Sequence, residues 1–346
     1  MQMGNGRTWD GRVSRRAFVM GSAAIAGAAA LGRVAAQDAS PEAGTEAGWS
    51  FTDDKGVTVT LPEAPKRVVI DVNPAAPLWD FGIRPVAVFG WLANPDGDFG
   101  LAGGNIDPSQ VEIIGNGAET IDVEALIALQ PDLVVTLTFV PDDPLDYWSL
   151  AADGPLEQVK QVAPIIAISG VQSADAQLAR FAELAEALGA DLESPELTEA
   201  QATWRASEDA FKAALAEKPG ISAVFGALGT DEIYVANPKR AGDLVYFRSL
   251  GLEIPDVDLP EDSTDYWETL SLEAVGKYQT DLFFNSYRGT SIEEAVAVPT
   301  IGQLPAVKAG QIFVWNQDFI SSYQGLTAIL DELTAAVEAS EIVTGD

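Results

Sequence analysis

The chain of 346 residues contains no cysteine and no histidine. Lacking cysteine, it can form no disulfide, thiolate metal site or thiol nucleophile, and it has no residue for the lipid-modified N-terminal cysteine that anchors many exported proteins. The missing histidine also excludes Ser-His-Asp chemistry and makes a zinc or manganese site hard to assemble, so no metal ligands are assigned. Positive charge is scarce: 20 Lys and Arg stand against 52 Asp and Glu, a formal net charge of −32. A surface of that sign repels nucleic acid and anionic lipid. Long apolar runs are missing too. The weakly apolar stretch from Met20 to Leu31 falls short of the roughly 20 residues a membrane-spanning helix needs.

That stretch follows Ser14-Arg15-Arg16-Ala17-Phe18-Val19, a twin-arginine motif, and precedes Val34-Ala35-Ala36, small residues suited to signal peptidase. Residues 1–36 therefore read as a twin-arginine signal peptide with cleavage before Gln37. Its removal takes away Arg7, Arg12, Arg15, Arg16 and Arg33 but only one acid, Asp10, leaving 15 basic against 51 acidic residues, a net charge of −36. Residues 37–49, QDASPEAGTEAGW, are small, acidic and apolar only at the end, and read as a flexible linker.

From Phe51 the pattern changes. Apolar and polar residues alternate on either side of Asp54-Lys55-Gly56, predicting a hairpin. Strands are expected at Val68–Asp71, Val86–Trp91, Leu133–Thr136 and Ile165–Ile168, with helices between them, the first at Ala75–Phe81. The segment IDVEALIALQPDLVV, residues 121 to 135, recurs as LSLEAVGKYQTDLFF at 270 to 284, with Glu124, Ala125, Gln130, Asp132 and Leu133 matching Glu273, Ala274, Gln279, Asp281 and Leu282. Each copy reads as a capped helix feeding a buried parallel strand. Two helices lie between the copies, Ala174–Leu188 and Pro195–Glu217, the second opened by Pro195 and stopped by Pro219-Gly220. A C-terminal helix is expected at Leu326–Ala339. The fold class is α/β: two Rossmann-like lobes, each with a central, mainly parallel sheet, joined by a long interdomain helix. The expected division is an N-terminal lobe at 50–172, a helical link at 173–218 and a C-terminal lobe at 219–346.

The ordered series FTDDKGVTVTLPEAPKRVV, DFGIRPVAVFG, VEALIALQPDLVV, LAEALG, LGLEIPD, LSLEAVGKYQTDLFF and LPAVKAGQIFVW resembles the substrate-binding proteins of ABC importers. The class resembled has two lobes joined by a long helix and carries iron-siderophores, cobalamin or haem. The likeness spans about residues 50 to 340 and implies a ligand held between the lobes at the C-terminal ends of their strands. On that basis the candidate ligand-binding residues of the N-lobe are Asn73, Trp91, Asn94, Phe139, Tyr147 and Trp148. Those of the C-lobe are Tyr234, Arg240, Trp267, Asn285, Tyr287, Arg288 and Trp315. The aromatics offer contact area with little rotamer loss, and Arg288 offers a guanidinium fork for chelate oxygens. Arg84, between a helix and the start of a strand, lies at the wrong end of the sheet and is left out.

The resemblance also implies that Glu124 and Glu273, one acid per lobe, dock onto arginines of the membrane permease. The expected cargo is a small-molecule iron chelate, a ferric siderophore, whose iron is already satisfied. The protein itself is expected to carry no cofactor, to act as a monomer and to bind no nucleic acid. Scarce arginines argue against the most highly charged chelates. Cobalamin is the alternative cargo, as is haem on a tyrosine such as Tyr234 or Tyr287. A different class, a secreted carboxylate-dependent hydrolase, would draw on acids such as Asp142, Asp143 and Asp146. No catalytic constellation accompanies them, and the chain is read as a non-enzyme, exported to the periplasm, the cell surface or beyond.

Overall fold

The computed structural model describes residues 48–94, 96–115, 120–150 and 155–344. The expected signal peptide and nearly all of the linker lie outside these residues. Order begins with a hairpin of β1 (Trp49–Thr52) and β2 (Thr58–Leu61), turning through Gly56 at φ 74°. Trp49, the last residue of the expected linker, is therefore the first residue of β1. Its indole stacks on Phe51 and donates to the Ala187 carbonyl at 2.6 Å.

The first sheet is wholly parallel, in the order β5-β4-β3-β6-β7. It is built from β3 (Val68–Asp71), α1 (Val72–Asp80), β4 (Ala87–Phe89), β5 (Glu112–Ile113), α2 (Val123–Leu129), β6 (Leu133–Thr138), α3 (Leu156–Val162) and β7 (Ile165–Ser169). Runs of Val, Ile and Leu make β3, β6 and β7 buried along their whole length. Such strands require helices on both faces, and alternating helical and strand segments supply them. Next come α4 (Ala174–Ala187) and α5 (Pro195–Glu217). Although both fall in the expected link, they part company. The first packs on α1, β1 and β7, with Arg180 paired to Asp54 at 2.8 Å, and also on the helix over Gly242–Leu250 across the lobe boundary.

The second sheet, β10-β9-β8-β11-β12, repeats the first strand for strand. Its elements are β8 (Ala223–Leu228), β9 (Glu232–Ala236), α6 (Gly242–Leu250), β10 (Trp267–Ser271), β11 (Leu282–Ser286), α7 (Ile292–Val296), α8 (Pro305–Lys308), β12 (Ile312–Trp315) and α9 (Tyr323–Ala339). One strand differs: β9 runs antiparallel to its neighbours. Only Gly229, Thr230 and Asp231 join it to β8, too few for a crossover, so a hairpin is the only connection available. The repeated segment occupies the same place in both lobes, leading into β6 and into β11. In the second copy the helix is a 3-10 helix over Leu272–Lys277, where Gly276 replaces Ile127 and weakens α-helical propensity. The shared pattern has a structural purpose at Asp132, whose Oδ2 accepts from the Lys66 and Arg67 amides at 2.8 Å each, at the entry to β3. Asp281 does the same at the entry to β8 through the Ser222 amide and hydroxyl, both at 2.8 Å, and ties down the C-terminal tail through Val343 and Thr344.

The core does not stop at the lobe boundary. A single buried cluster runs from Val68 and Ile70 through Phe181 and Phe211 to Phe247, Phe284 and Leu333. Helix α5 is held along α9 by Trp204 against Tyr323 and by Ser207 donating to Asp331 at 2.7 Å. On α6, the Tyr246 hydroxyl accepts from Trp204 Nε1 at 3.0 Å and donates to Glu208 at 2.8 Å. Behind the cleft, Ser321 meets Gln177 at 3.2 Å and Ser322 donates to Asp80 at 2.5 Å. Among the described residues no helix is long and apolar enough to cross a membrane.

Candidate functional site

In both sheets the chain winds outward in two directions from the first strand of the lobe. The switch points fall between β3 and β6 and between β8 and β11, and in open α/β sheets the crevice beyond such strand ends is where ligands bind. The loops leaving these strands meet each other across the lobe boundary.

From the first lobe, Asp71 ends β3 and caps α1 by accepting from the Asn73 amide. The Asn73 side chain then reaches across to Asp318 of the second lobe at 3.3 Å. Trp91 follows β4, Phe139 follows β6, and Trp148 returns beneath them. The Trp148 ring meets Phe139 edge-on at 5.0 Å between centroids and Trp91 at 6.4 Å. Position is imposed on Phe139 by Asp146, whose Oδ2 accepts from Thr138 Oγ1 at 2.7 Å and from the Phe139 and Val140 amides. Lys55 fastens the same loop by donating to the carbonyls of Pro141, Asp143 and Asp146. Asp143 and Asp146 thus shape the loop.

From the second lobe, the Arg288 guanidinium lies over the Trp91 ring at 4.0 Å and pairs with Asp318, which also accepts from the Tyr287 hydroxyl. The Arg240 guanidinium crosses to the Phe139 carbonyl. Trp267 stands edge-on to Tyr234, Tyr266 and Trp315, with centroids 6.2, 4.8 and 6.0 Å away. Beneath this wall, Asp243 Oδ2 accepts from Trp315 Nε1 at 2.7 Å.

Three carboxylates thus gather at the boundary. Burial pushes Asp71 and Asp243 up to about 7 each, and Asp318 adds to both shifts by repulsion. Burial likewise pushes Tyr287 up to about 12 and Tyr266 well above the ordinary phenol range. Among the described residues three buried N–H donors, Trp91 Nε1, Trp148 Nε1 and Arg240 Nε, have no hydrogen-bond partner, and two further buried atoms, Asp71 Oδ2 and Ser149 Oγ, have only each other. All five belong to this boundary. An unpaired buried polar group costs about 1–3 kcal/mol, and a cluster of them is the mark of a site kept for something other than stability.

The arrangement brings together Asn73, Trp91, Phe139 and Trp148 with Arg240, Tyr287 and Arg288, while Tyr234 and Trp267 continue the aromatic wall. Four expected residues stand apart. The Tyr147 side chain is buried against Leu150 and Leu156, beneath Lys55 and Lys160, because its neighbour Trp148 takes the opposite face of the sheet. Asn285 is consumed inside the second lobe, accepting from the Leu228 amide and donating to the Thr290 carbonyl, both at 2.9 Å. Trp315 is only 2% exposed and acts as the backing of Asp243. Asn94 closes its own loop on the Asp98 carbonyl at 2.9 Å. Conversely, Asp71, Asp243, Tyr266 and Asp318 stand at the same boundary without having been expected there. Asp318, in the tail of a strand end already chosen at Trp315, carried the clearest signal. Arg84, left out of the site, stacks on Trp79 at 3.9 Å and donates to its carbonyl.

Two concavities are found elsewhere in the second lobe. One of about 620 Å³ lies beside Arg248 and Lys277 at the opposite end of the second sheet, and both of these cations are paired with acids. Another of about 510 Å³ is largely apolar, between β12 and α9 over Phe284 and Leu333, and reaches Trp315, Asn316 and Phe319 beside Asp318. Neither is lined by the unpaired donors, and the convergence of strand ends that holds them is the stronger candidate.

A two-lobed α/β protein, with paired switch points facing a shared boundary and polar groups held unpaired within it, is the class this geometry defines. The chain belongs to the family described as periplasmic binding protein, whose sequence profile matches residues 106–319. It is similar to DesE, a ferric-siderophore receptor protein from Streptomyces coelicolor, with 34% identity and a TM-score of 0.76 over 85% of this chain and 99% of that one. Staphylococcus aureus SirA, solved with staphyloferrin B, shares the fold at 17% identity and TM-score 0.58, covering 84% of this chain and 99% of that one. A FhuD-fold protein of a ferrichrome transporter from Bacillus subtilis does so at 19% identity and TM-score 0.58, over 84% of this chain and all of that one. No curated protein sequence matches the chain. Membership of this family places the chain's work outside the cytoplasm.

Proposed function

We propose that this protein is the extracytoplasmic binding component of an ABC importer, holding a ferric siderophore between its lobes and delivering it to the membrane permease. The observation that carries the reading is the 34% identity to a ferric-siderophore receptor along nearly that protein's full length. A cleft walled by Trp91, Phe139, Trp148 and Trp267 and crossed by Arg240 and Arg288 supports it. The aromatic rings supply area for the organic shell of a chelate, and the guanidinium groups supply donors to its oxygens. Iron is cargo in this reading and is ligated by the chelator alone, so the absence of His and Cys is no obstacle. The work is binding and release, without bond chemistry.

Glu124 and Glu273 are exposed and stand at matching positions of the two repeats. In this reading they dock onto basic sockets of the permease, one per lobe, and the twin-arginine motif directs export of the folded protein. Thermal unfolding of the mature protein with a panel of ferric chelates, cobalamin and haemin tests the cargo. A true ligand at 100 times its dissociation constant adds about 2.7 kcal/mol of stability. Stabilisation by a ferric chelate and not by its iron-free form is expected; response to cobalamin or haemin alone would replace the cargo within the same fold.

A further inference from the structure

The two lobes differ at one edge. In the first, β7 and α4 meet the hairpin of β1 and β2: the Asp54 amide donates to the Ala167 carbonyl at 3.1 Å, Asp54 Oδ2 accepts from the Ser169 amide at 2.7 Å, and Phe51 joins the shared core. In the second lobe β12 and α9 stand in the places of β7 and α4. Among the described residues β12 pairs with β11 alone, and no second hairpin covers it. What lies there is the largely apolar concavity of about 510 Å³, within the roughly 300–1,000 Å³ of small-molecule sites. Of the six exposed large hydrophobic side chains among the described residues, two line it, Leu101 at 46% and Val314 at 57%. Apolar surface gathered in this way marks a place kept for an occupant.

One end of the concavity meets the lobe boundary. Leu101 reaches it from the first lobe, and a side chain at the adjoining Gly100 would meet the Tyr287 hydroxyl at 3.8 Å. Asn316 and Phe319 flank Asp318, the partner of Arg288 and Tyr287. From there the lining follows α9 from Gly325 to Ala336, about 16 Å of helix at 1.5 Å per residue and close to the length of an extended chain of about twelve carbons. No Lys or Arg lines it, and its single ionisable side chain is Glu332, whose carboxyl burial pushes up. A free fatty acid would find no cation there for its carboxylate. An uncharged alkyl chain, attached to a polar group that stays at the lobe boundary, needs none.

We propose that the concavity between β12 and α9 is a subsite for an uncharged alkyl tail carried by a chelate whose polar part sits at the lobe boundary. The proposal rests on the chelate-carrier reading above and adds an apolar subsite to it.

Calorimetric titration of the mature protein tests it, with a ferric trihydroxamate and a ferric tris-catecholate, each in a form ending in an acetyl group and a form ending in a dodecanoyl group. Whichever chelate binds, its dodecanoyl form is expected to bind at least about tenfold more tightly than its acetyl form. Ala328→Trp and Ala335→Phe put bulk into the concavity from exposed positions of α9. Each is expected to abolish that advantage while leaving the affinity for the acetyl form and the unfolding temperature as in wild type. A variant whose unfolding temperature falls is set aside in favour of the other. Equal affinity for the two forms in the wild type, or an advantage that persists in a normally folded variant, overturns the proposal and leaves the carrier reading standing. If neither chelate binds in either form, the carrier reading itself fails, and the subsite with it.

Discussion

Asp132 and Asp281 play the same part in the two lobes, each carboxylate fastening the entry of a central strand to the strand beside it. Asp132 accepts two backbone bonds, whereas Asp281 accepts five bonds from Ser222, Val343 and Thr344. The amides that Asp132 holds are exposed and can turn to water, whereas the partners of Asp281 are half-buried, so Asp132→Ala is expected to cost about 1 kcal/mol and Asp281→Ala about 4 kcal/mol in urea unfolding. Equal losses would show that the tail contacts of Asp281 contribute nothing. Asp71 and Asp243 act in the opposite sense. Each folded carboxyl keeps its proton up to about pH 7, against an ordinary value of 3.8. The native state therefore binds more protons in that window, and these two groups make stability fall as pH rises from about 4 to about 7. Asp243→Asn is expected to narrow the difference between urea midpoints measured at about pH 5 and about pH 7.5. An unchanged difference would mean that this carboxyl does not titrate there.

At the scale of elements, Trp204, Ser207, Glu208 and Phe211 bind α5 to α6 and α9, while α4 packs both on α1 of the first lobe and on α6 of the second. Tyr246→Phe strips Trp204 Nε1 and Glu208 of their shared partner and is expected to cost about 1–3 kcal/mol of stability. Ligand affinity, measured by titration, is expected to stay unchanged, because that network lies away from the cleft. The strands and long helices were legible because their signals are local. Val68–Asp71 and Pro195–Glu217 match the expected bounds, set by a β-branched run and by a proline start with a Pro-Gly stop. The antiparallel β9 was equally available in the three-residue Gly229 loop but competed with the general α/β alternation. The 3-10 form of the second repeat depended on a single glycine.

For the whole molecule, a shared core and polar stitches behind the cleft favour small lobe movements. Small-angle scattering with and without ligand is expected to give indistinguishable radii of gyration; a clear contraction on binding would contradict a stiff link. The large negative charge makes the folded state repel itself, so the unfolding temperature is expected to rise with added sodium chloride as the repulsion is screened. Reversing the charge at both Glu124 and Glu273 to Arg is expected to leave ligand affinity intact and abolish uptake in cells, as read with radioactive iron. Full uptake by that double variant would dissociate these acids from permease docking.

The linear chain alone determined the class of fold, the doubled helix-strand unit and the exported, acidic character, because periodicity, caps and net charge are properties of neighbours in sequence. It also selected the strand ends that reach the lobe boundary, where the structure brings Trp91, Phe139, Trp148, Arg240 and Arg288 together. Tertiary structure alone decided which face of each strand end those side chains took. It turned Tyr147, Asn285 and Trp315 inward and brought Asp71, Asp243 and Asp318 together from points 75 to 247 residues apart. Burial and pairing across a lobe boundary depend on contacts between distant segments, and a sequence pattern holds no record of them.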